Sequence, residues 1–307
     1  MSRKIYFITG PTAIGKSKFA LDLCKKVNGA IINADSMQIY KELKVITARP
    51  SNSDIKKVQH HLYGYVNGNE RFNVEKWCLD SVKIINMLNK ENITPIFVGG
   101  TGLYVETLIK GITPIPNIPE KIKNDSNKLV EDIGIENFYK LVHEIDAESV
   151  DKISKNDTQR LKRIWEVHKH TNIKFSLWKK KENKKFLNST DFKIIVFLPD
   201  RKKNYIRVDQ RVLKMIKNGA IDEVKKLINL NYEKTLPIMK AHGVPEIISF
   251  LENSISFEEC IQKIQLVTKQ YVKRQNTWWK STKLPIFEKF NQFPDEIEVN
   301  STNLTHF

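Results

Sequence analysis

The chain has 307 residues, 40% of them hydrophobic, enough to bury a sizeable core in one large α/β domain or in a domain carrying an insertion. No apolar run approaches the roughly 18 residues of a membrane span. The chain enters its first strand directly, so no secretory leader is expected, and the three isolated cysteines (Cys24, Cys78, Cys260) lack metal-ligand spacing, which predicts a reduced, cytoplasmic protein without structural zinc.

Charge is the informative quantity. Lys and Arg number 51 against 35 Asp and Glu, a net charge of +16. A nucleic-acid partner would use this excess to neutralise phosphates; a lysine-rich genomic composition would produce it without function.

In chain order, "KIYFIT" (4–9) reads as a buried strand and runs directly into "GPTAIGKS" (10–17). The pattern is G-x-x-x-x-G-K-S. Gly10 and Gly15 let backbone N–H groups converge on phosphate oxygens, and the helix starting near Lys16 adds its positive N-terminal dipole. Lys16 would reach a terminal phosphate and Ser17 would ligate Mg²⁺. The next segment places Phe19, Ala20, Leu23 and Val27 at helical spacing. Strand, loop and helix together predict a phosphate-binding loop without naming the phosphate compound.

A second strand, "AIINA" (30–34), ends just before Asp35. Strand C-termini line the ligand crevice of a parallel sheet, so Asp35 is expected to point into the site. The alternative is a helix N-cap, since Asp followed by Ser suits one. His60 and His61 are adjacent on an extended segment and face opposite ways. With no carboxylate at ligand spacing, a structural role is favoured over a metal site.

The strand "TPIFVGG" (94–100) leads through a glycine-rich turn into a helix, with Thr101 at the crevice. "GITPIPNIPE" (111–120) breaks the pattern with three prolines. Residues from about 121 to 188 are helical and polar, and a strand returns at "FKIIVFLP" (192–199). This predicts a helical insertion between two strands of one parallel sheet.

Within the insertion, residues 151–188 hold twelve Lys and Arg against four Asp and Glu, interleaved with Trp165, Phe175, Trp178 and Phe186. That mixture suits RNA; a solvated helical face is the alternative. "NDTQRLKRIWEV" (156–167) puts Gln159, Arg160 and Arg163 within one turn. Further helices are expected over 201–218, 219–230, 243–251 and 257–280, then the strand "PIFEKF" and a frayed tail. Arg207 and Arg211 lie four apart on one face, and Arg274 and Gln275 adjoin paired tryptophans.

In order and spacing, nine motifs resemble the bacterial tRNA dimethylallyltransferases, also called tRNA isopentenyltransferases: "GPTAIGKS", "NADSMQIY", "TARP", "HHL", "GGTGLYV", "NDTQRLKRIWEV", "DRKKNYIRVDQRV", "MKAHGVPE" and "TKQYVKRQNTWW". The resemblance spans about residues 4–280. It implies a P-loop α/β core with C-terminal helices (1–112 and 190–307) and a tRNA-binding helical insertion (113–189). It also implies transfer of a dimethylallyl group from dimethylallyl diphosphate to N6 of the adenine beside the anticodon, with Mg²⁺ and the tRNA anticodon stem-loop as partners, in a cytoplasmic monomer. A P-loop small-molecule kinase is the rival.

By the same resemblance, Asp35 is the catalytic base, with Lys16 and Thr101 beside it. The diphosphate falls to Gly10, Pro11, Thr12, Ala13, Ile14, Gly15, Lys16 and Ser17, with Arg207 or Arg211. The tRNA falls to Asp35, Ser36, Met37, Gln38, Thr101 and Lys123, to Gln159, Arg160, Leu161, Lys162 and Arg163, to Lys240, Ala241, His242, Gly243, Val244 and Pro245, and to Arg274. Three departures from the family pattern stand near the site: Ile14 where a small residue is usual, Ile46 where Gly is usual, and Lys41 in place of Arg. The zinc finger of eukaryotic relatives has no counterpart, Cys260 being the one late cysteine.

Overall fold

In this computed structural model, residues 4–187 and 191–299 are described. The strands are β1 (Ile5–Thr9), β2 (Gly29–Asn33), β3 (His60–His61), β4 (Thr94–Gly99), β5 (Phe192–Phe197) and β6 (Ile286–Phe290). They form one six-stranded sheet, ordered β3-β2-β4-β1-β5-β6, in which every pairing is parallel. The helices in chain order are α1 (Lys16–Val27), α2 (Asn52–Ile55), α3 (Val74–Lys90), α4 (Gly102–Lys110), α5 (Glu120–Val150), α6 (Thr158–Thr171), α7 (Phe175–Lys179), α8 (Arg201–Lys217), α9 (Ala220–Ile228), α10 (Val244–Leu251) and α11 (Phe257–Ser281).

Parallel sheets need cover on both faces, and β1 shows how the sequence supplies it. Every β1 residue is buried. Ile5 and Phe7 face one core, where Phe7 stacks on Phe97 with ring centroids 4.9 Å apart and Trp77 packs edge-on to Phe97. Tyr6 and Ile8 face the other, with Phe19 of α1 and Phe197 of β5. The period-2 alternation of one strand thus divides two helical layers.

The expected strands and the four late helices all occur, with ends shifted by one or two residues. The helix considered after Asp35 does not occur; residues 36–39 form bends and a turn. His60 and His61 form a short edge strand, with His60 Nδ1 2.9 Å from the Val58 carbonyl. Among the described residues no cluster of His, Cys, Asp or Glu could hold a metal ion, and no helix is long and apolar enough to cross a membrane. Most of the expected tail, from residue 300 on, lies outside the described residues.

The chain divides into two compact units, Met1–Ile109 with Phe186–Phe307, and Lys110–Lys185. The first boundary falls three residues before the expected one; the second expected boundary, 189–190, lies outside the described residues. In the smaller unit, α5 departs from helical geometry at Gly134 and Asp146. The Asp146 carboxylate accepts from the backbone N–H of Ser149 (3.2 Å) and Ser176 (2.8 Å), which ties α5 to α7. Burial alone would raise its pKa, but those hydrogen bonds prevail and hold it below the usual carboxylate range. Phe138, Val142, Leu161 and Ile164 form this unit's core.

Gly10 is the tightest backbone position beneath the loop. Its φ is +134°, and a Cβ there would lie 2.3 Å from the Phe197 carbonyl oxygen of β5. Neither a rotamer change nor a side-chain shift relieves a clash with backbone. Gly10→Ala is therefore expected to destabilise the protein by about 3 kcal/mol, read as a lower denaturant midpoint at unchanged m-value.

Candidate active site

The C-terminal ends of β1, β2 and β4 open into a cleft of about 620 Å³. The P-loop borders it, with Gly15 at φ +96° starting α1. Lys16 folds back over the loop and donates from Nζ to the carbonyls of Gly10 (3.1 Å) and Pro11 (2.6 Å). Burial, followed by the nearby Arg211 charge, pushes its pKa down to about 7, with Asp35 opposing the shift. Ser17 is exposed on the first turn of α1.

Thr12 is held by all three of its polar groups. Its N–H donates to Gln275 Oε1 (2.9 Å), its carbonyl accepts from Asn204 Nδ2 (3.4 Å), and its hydroxyl accepts from Arg211 Nη1 (3.0 Å). Helices α8 and α11 thereby brace the loop. Arg211 lines the cleft and also donates to the Thr47 carbonyl at 3.3 Å. Arg207 points elsewhere: it pairs with Asp295 at 2.8 Å and lies over the Phe293 ring at 3.6 Å. Of the two arginines, the structure brings Arg211 to the loop's cleft.

Asp35 stands across the cleft from the loop, just past β2. Buried Asn33 fixes its backbone from both sides: Asn33 Oδ1 accepts the Asp35 N–H and Asn33 Nδ2 donates to the Asp35 carbonyl, each at 2.9 Å. The Asp35 Oδ1 accepts from the N–H groups of Met37 (2.9 Å) and Gln38 (3.3 Å). The carboxylate therefore caps a turn rather than a helix, and Oδ2 makes no hydrogen bond among the described residues. Its charge is felt by Lys16 and Arg211 and by Tyr63, Tyr104 and Tyr271, whose pKa values burial and Asp35 both push up.

A smaller cavity of about 250 Å³ shares Asp35, Thr12 and Arg211 with the cleft. Its apolar wall includes Met37, Ile46 and Val208, and its far side holds Tyr271 and His242, with ring centroids 5.0 Å apart. Burial and the Arg274 charge lower the His242 pKa. Thr101 Oγ1 accepts from the Ser36 N–H at 3.3 Å. Gln38 donates to the carbonyls of Thr47 and Ala48.

The RNA-side expectations sort by exposure. Lys240, Pro245 and Arg274 are exposed, whereas Ala241, Gly243 and Val244 are buried, Val244 within the core. In the smaller unit, Gln159 and Arg160 are exposed and Leu161 is fully buried in the core. Leu161 and Val244 therefore cannot offer side chains to RNA; helical spacing turns Leu161 inward, and Val244 is buried at the start of α10. Arg160 pairs with Asp157 at 3.3 Å, Lys162 donates to Asn127 at 2.7 Å, and Lys123 pairs with Glu120 at 3.2 Å. Arg163 is half-buried, and burial lowers its pKa.

The departures also sort. Ile14 borders the cleft, but it is fully buried and packed in the α1-side core. Lys41 is exposed and lines neither cavity. Ile46 does shape the smaller cavity: its Cδ1 lies 2.6 Å from where a Cβ on Gly243 would sit.

Asn33, Asn204 and Glu223 escaped the sequence reading, and Gln275 figured there only as a neighbour of Arg274. The Glu223 carboxylate accepts the N–H groups of Lys44, Val45 and Ile46 at 2.6–3.0 Å, fixing the loop that presents the Thr47 carbonyl. The "NAD" order of Asn33 and Asp35 was the one available signal; the other contacts join residues more than 170 positions apart.

Because burial leaves Lys16 half-charged near neutrality, an anion bound beside it must draw in a proton. At about pH 8, inorganic diphosphate binding is expected to take up close to one proton at Lys16, and the affinity to weaken as pH rises through about 7. Calorimetry in buffers of different ionisation enthalpy measures the uptake, with Lys16→Met as the control that removes it.

Residues 38–282 match the family model described as IPP transferase, and residues 3–66 match isopentenyl transferase. The chain is 42% identical over 275 residues to a tRNA dimethylallyltransferase of Pelagibacter ubique, covering 90% of this chain and 88% of that one. It is 41% identical to one from Wolbachia pipientis, covering 100% and 99%. The crystal structure of a full-length tRNA isopentenylpyrophosphate transferase from Bacillus halodurans superposes with TM-score 0.68 at 27% identity, covering 97% of this chain and 92% of that one. A eukaryotic dimethylallyltransferase acting on tRNA superposes with TM-score 0.79 at 25% identity, covering 98% and 77%. A P-loop on a parallel sheet, an aspartate facing it and these matches along nearly the whole chain agree: the chain belongs to the IPP transferase family, the tRNA dimethylallyltransferases.

Proposed function

We propose that this chain transfers the dimethylallyl group of dimethylallyl diphosphate to N6 of the adenine at tRNA position 37, 3′ to the anticodon, releasing diphosphate. The observation that carries the reading is Asp35, placed between the P-loop cations and the Tyr271–His242 cavity in a chain of this family. The diphosphate lies on the loop amides, Lys16 and Arg211. As the allylic C1–O bond breaks, its electron pair leaves with the diphosphate, and those fixed positive groups stabilise the growing charge. The new bond joins C1 to N6.

The adenine leaves its stack to reach the smaller cavity, as bases generally do for chemistry on their edges. The N6 lone pair is delocalised into the ring, so the amine is a poor nucleophile. Its proton becomes acidic as the C–N bond forms, and a weak base suffices to take it. The Asp35 oxygen that carries no backbone hydrogen bond is the acceptor. Thr101 orients the turn that bears it.

A Mg²⁺ ion suits the residues present. Ser17 offers one exposed hydroxyl, and among the described residues no carboxylate cluster competes, which matches a small hard cation that keeps waters and is held largely by substrate phosphates. When bound, it would neutralise charge on the leaving diphosphate. Gln159, Arg160, Lys162, Arg163 and Lys123 in the smaller unit, and Lys240, Pro245 and Arg274 in the larger, are the exposed or half-exposed groups that would meet the anticodon arm by shape and phosphate contact.

Label from dimethylallyl diphosphate should enter bulk tRNA without ATP; a strict ATP requirement would favour the kinase reading. Asp35→Asn keeps size and turn-capping ability but accepts no proton. Single-turnover transfer should fall by about 10²–10⁴-fold at nearly constant tRNA affinity, and near-normal chemistry would place the base elsewhere. Arg160→Ala and Arg163→Ala should each weaken tRNA binding and flatten its log–log salt dependence by roughly one unit or less, with diphosphate binding unchanged.

A further inference from the structure

Helix α8 and the turn after β2 meet at one backbone carbonyl, that of Thr47. Arg211 holds it from α8. The flat guanidinium fork donates from Nη2 to the Thr47 carbonyl at 3.3 Å and from Nη1 to the Thr12 hydroxyl of the P-loop at 3.0 Å. Gln38 holds it from the turn, donating from Nε2 at 2.8 Å, with the Ala48 carbonyl also in reach at 3.3 Å. The Gln38 backbone N–H donates to Asp35 Oδ1 at 3.3 Å, and its carbonyl accepts the Gly64 N–H at 2.9 Å. Gln38 is therefore bonded through its main chain to the carboxylate and through its side chain to the acceptor that aligns Arg211.

The segment that presents this carbonyl is itself held in place. Glu223 accepts the N–H groups of Lys44, Val45 and Ile46, and the Thr47 hydroxyl donates to the Leu43 carbonyl at 2.6 Å. Ala48 is kept at φ +50°, a left-handed conformation that a residue with a Cβ seldom adopts. Strain of that kind persists only where the surrounding bonds over-determine it. Every link from Thr12 through Arg211, the Thr47 carbonyl and Gln38 to Asp35 is a hydrogen bond. We propose that Gln38 is a positioning residue: by fixing the Thr47 carbonyl it sets the direction of Arg211 relative to Asp35, so that the allylic carbon and N6 meet in line. The inference rests on the functional reading above. It replaces the tRNA contact that the motif resemblance implied for Gln38, whose amide nitrogen is already engaged with two carbonyls of the chain. Without the Gln38 donor, Arg211 keeps its charge and its bond to Thr12, so diphosphate still binds. What is lost is alignment, and misalignment costs rate rather than affinity.

The test is Gln38→Met, which keeps the length of the side chain, stays neutral and loses the donor. Single-turnover transfer from dimethylallyl diphosphate to tRNA is measured beside equilibrium binding of inorganic diphosphate and of tRNA. The rate at saturation should fall about tenfold or more, while both affinities stay within about twofold. Gln38→Leu, also neutral and without a donor, should fall likewise, and it takes the place of Gln38→Met if that variant fails to melt cooperatively. A wild-type rate at saturation overturns the inference. A loss of tRNA or diphosphate affinity beyond about twofold also overturns it, because Gln38 would then be a binding contact. A wild type that moves no label into tRNA defeats the functional reading instead, so the two failures are distinct.

Discussion

Two cations and one carboxylate share a single cleft, and the arrangement of the larger unit follows from that. Lys16 and Arg211 approach each other closely enough to depress the Lys16 pKa, and Asp35 is near enough to counter part of the effect. Like charges held together in a partly desolvated pocket are costly until an anion arrives. Lys16 Nζ donates to the Gly10 and Pro11 carbonyls, which hold it over the loop. The diphosphate of the proposed reaction would relieve the repulsion, with the Asp35 carboxylate across the cleft. The site is thus electrostatically divided, with Lys16 and Arg211 at one end and Asp35 at the other; in the reaction proposed above the first end would meet the leaving group and the second the nucleophile's proton.

Such a division works only if the two ends hold still, and the backbone is restrained at each. Asn33 closes a ring of hydrogen bonds around Asp35, and the Trp77 indole N–H pins the Asn33 carbonyl in turn at 2.9 Å. Thr12 is tied at its N–H, carbonyl and hydroxyl. Glu223 gathers three consecutive N–H groups of the 44–46 loop. The partners of Thr12 and of the 44–46 loop come from α8, α9 and α11, the helices after the insertion. The late part of the chain therefore braces the P-loop and the 44–46 loop, while Asp35 is held by Asn33 and Trp77 of the early part. Preorganised dipoles of this kind need no rearrangement as charge develops.

The helices that carry basic motifs show how one contiguous motif serves two purposes. In α6 the run from Gln159 to Arg163 alternates between solvent and the core of the smaller unit, so Leu161 packs with Phe138 and Ile164 while its neighbours remain available. The run from Lys240 to Pro245 does the same, with Val244 inside and Lys240 and Pro245 outside. A motif resemblance assigns a whole run; burial divides it. In α6 the 3.6-residue period makes the division unavoidable; in 240–245, where a bend and a turn separate a 3-10 helix from α10, the fold of the loop makes it.

The sequence by itself determined the elements and the chemistry of the loop. Buried runs of β-branched residues between helical patterns specify a parallel sheet, because both faces must be covered. Gly10, Gly15, Lys16 and Ser17 specify an anion site, because each residue type has one local task. Asp35 was legible for the same reason, standing just past a strand whose end must open on the crevice, although the form of its hydrogen bonding was not. Only the tertiary structure decided that Arg211 rather than Arg207 faces the cleft, since both lie on one helix and a partner 88 residues away, Asp295, claims the latter. It alone decided that Ile14 packs inward and Ile46 shapes a cavity. It alone brought Asn204, Glu223 and Gln275 to the site. Local patterns encode which way a residue points along its own helix or strand; which distant group it meets depends on how those elements pack, and that is a property of the whole chain.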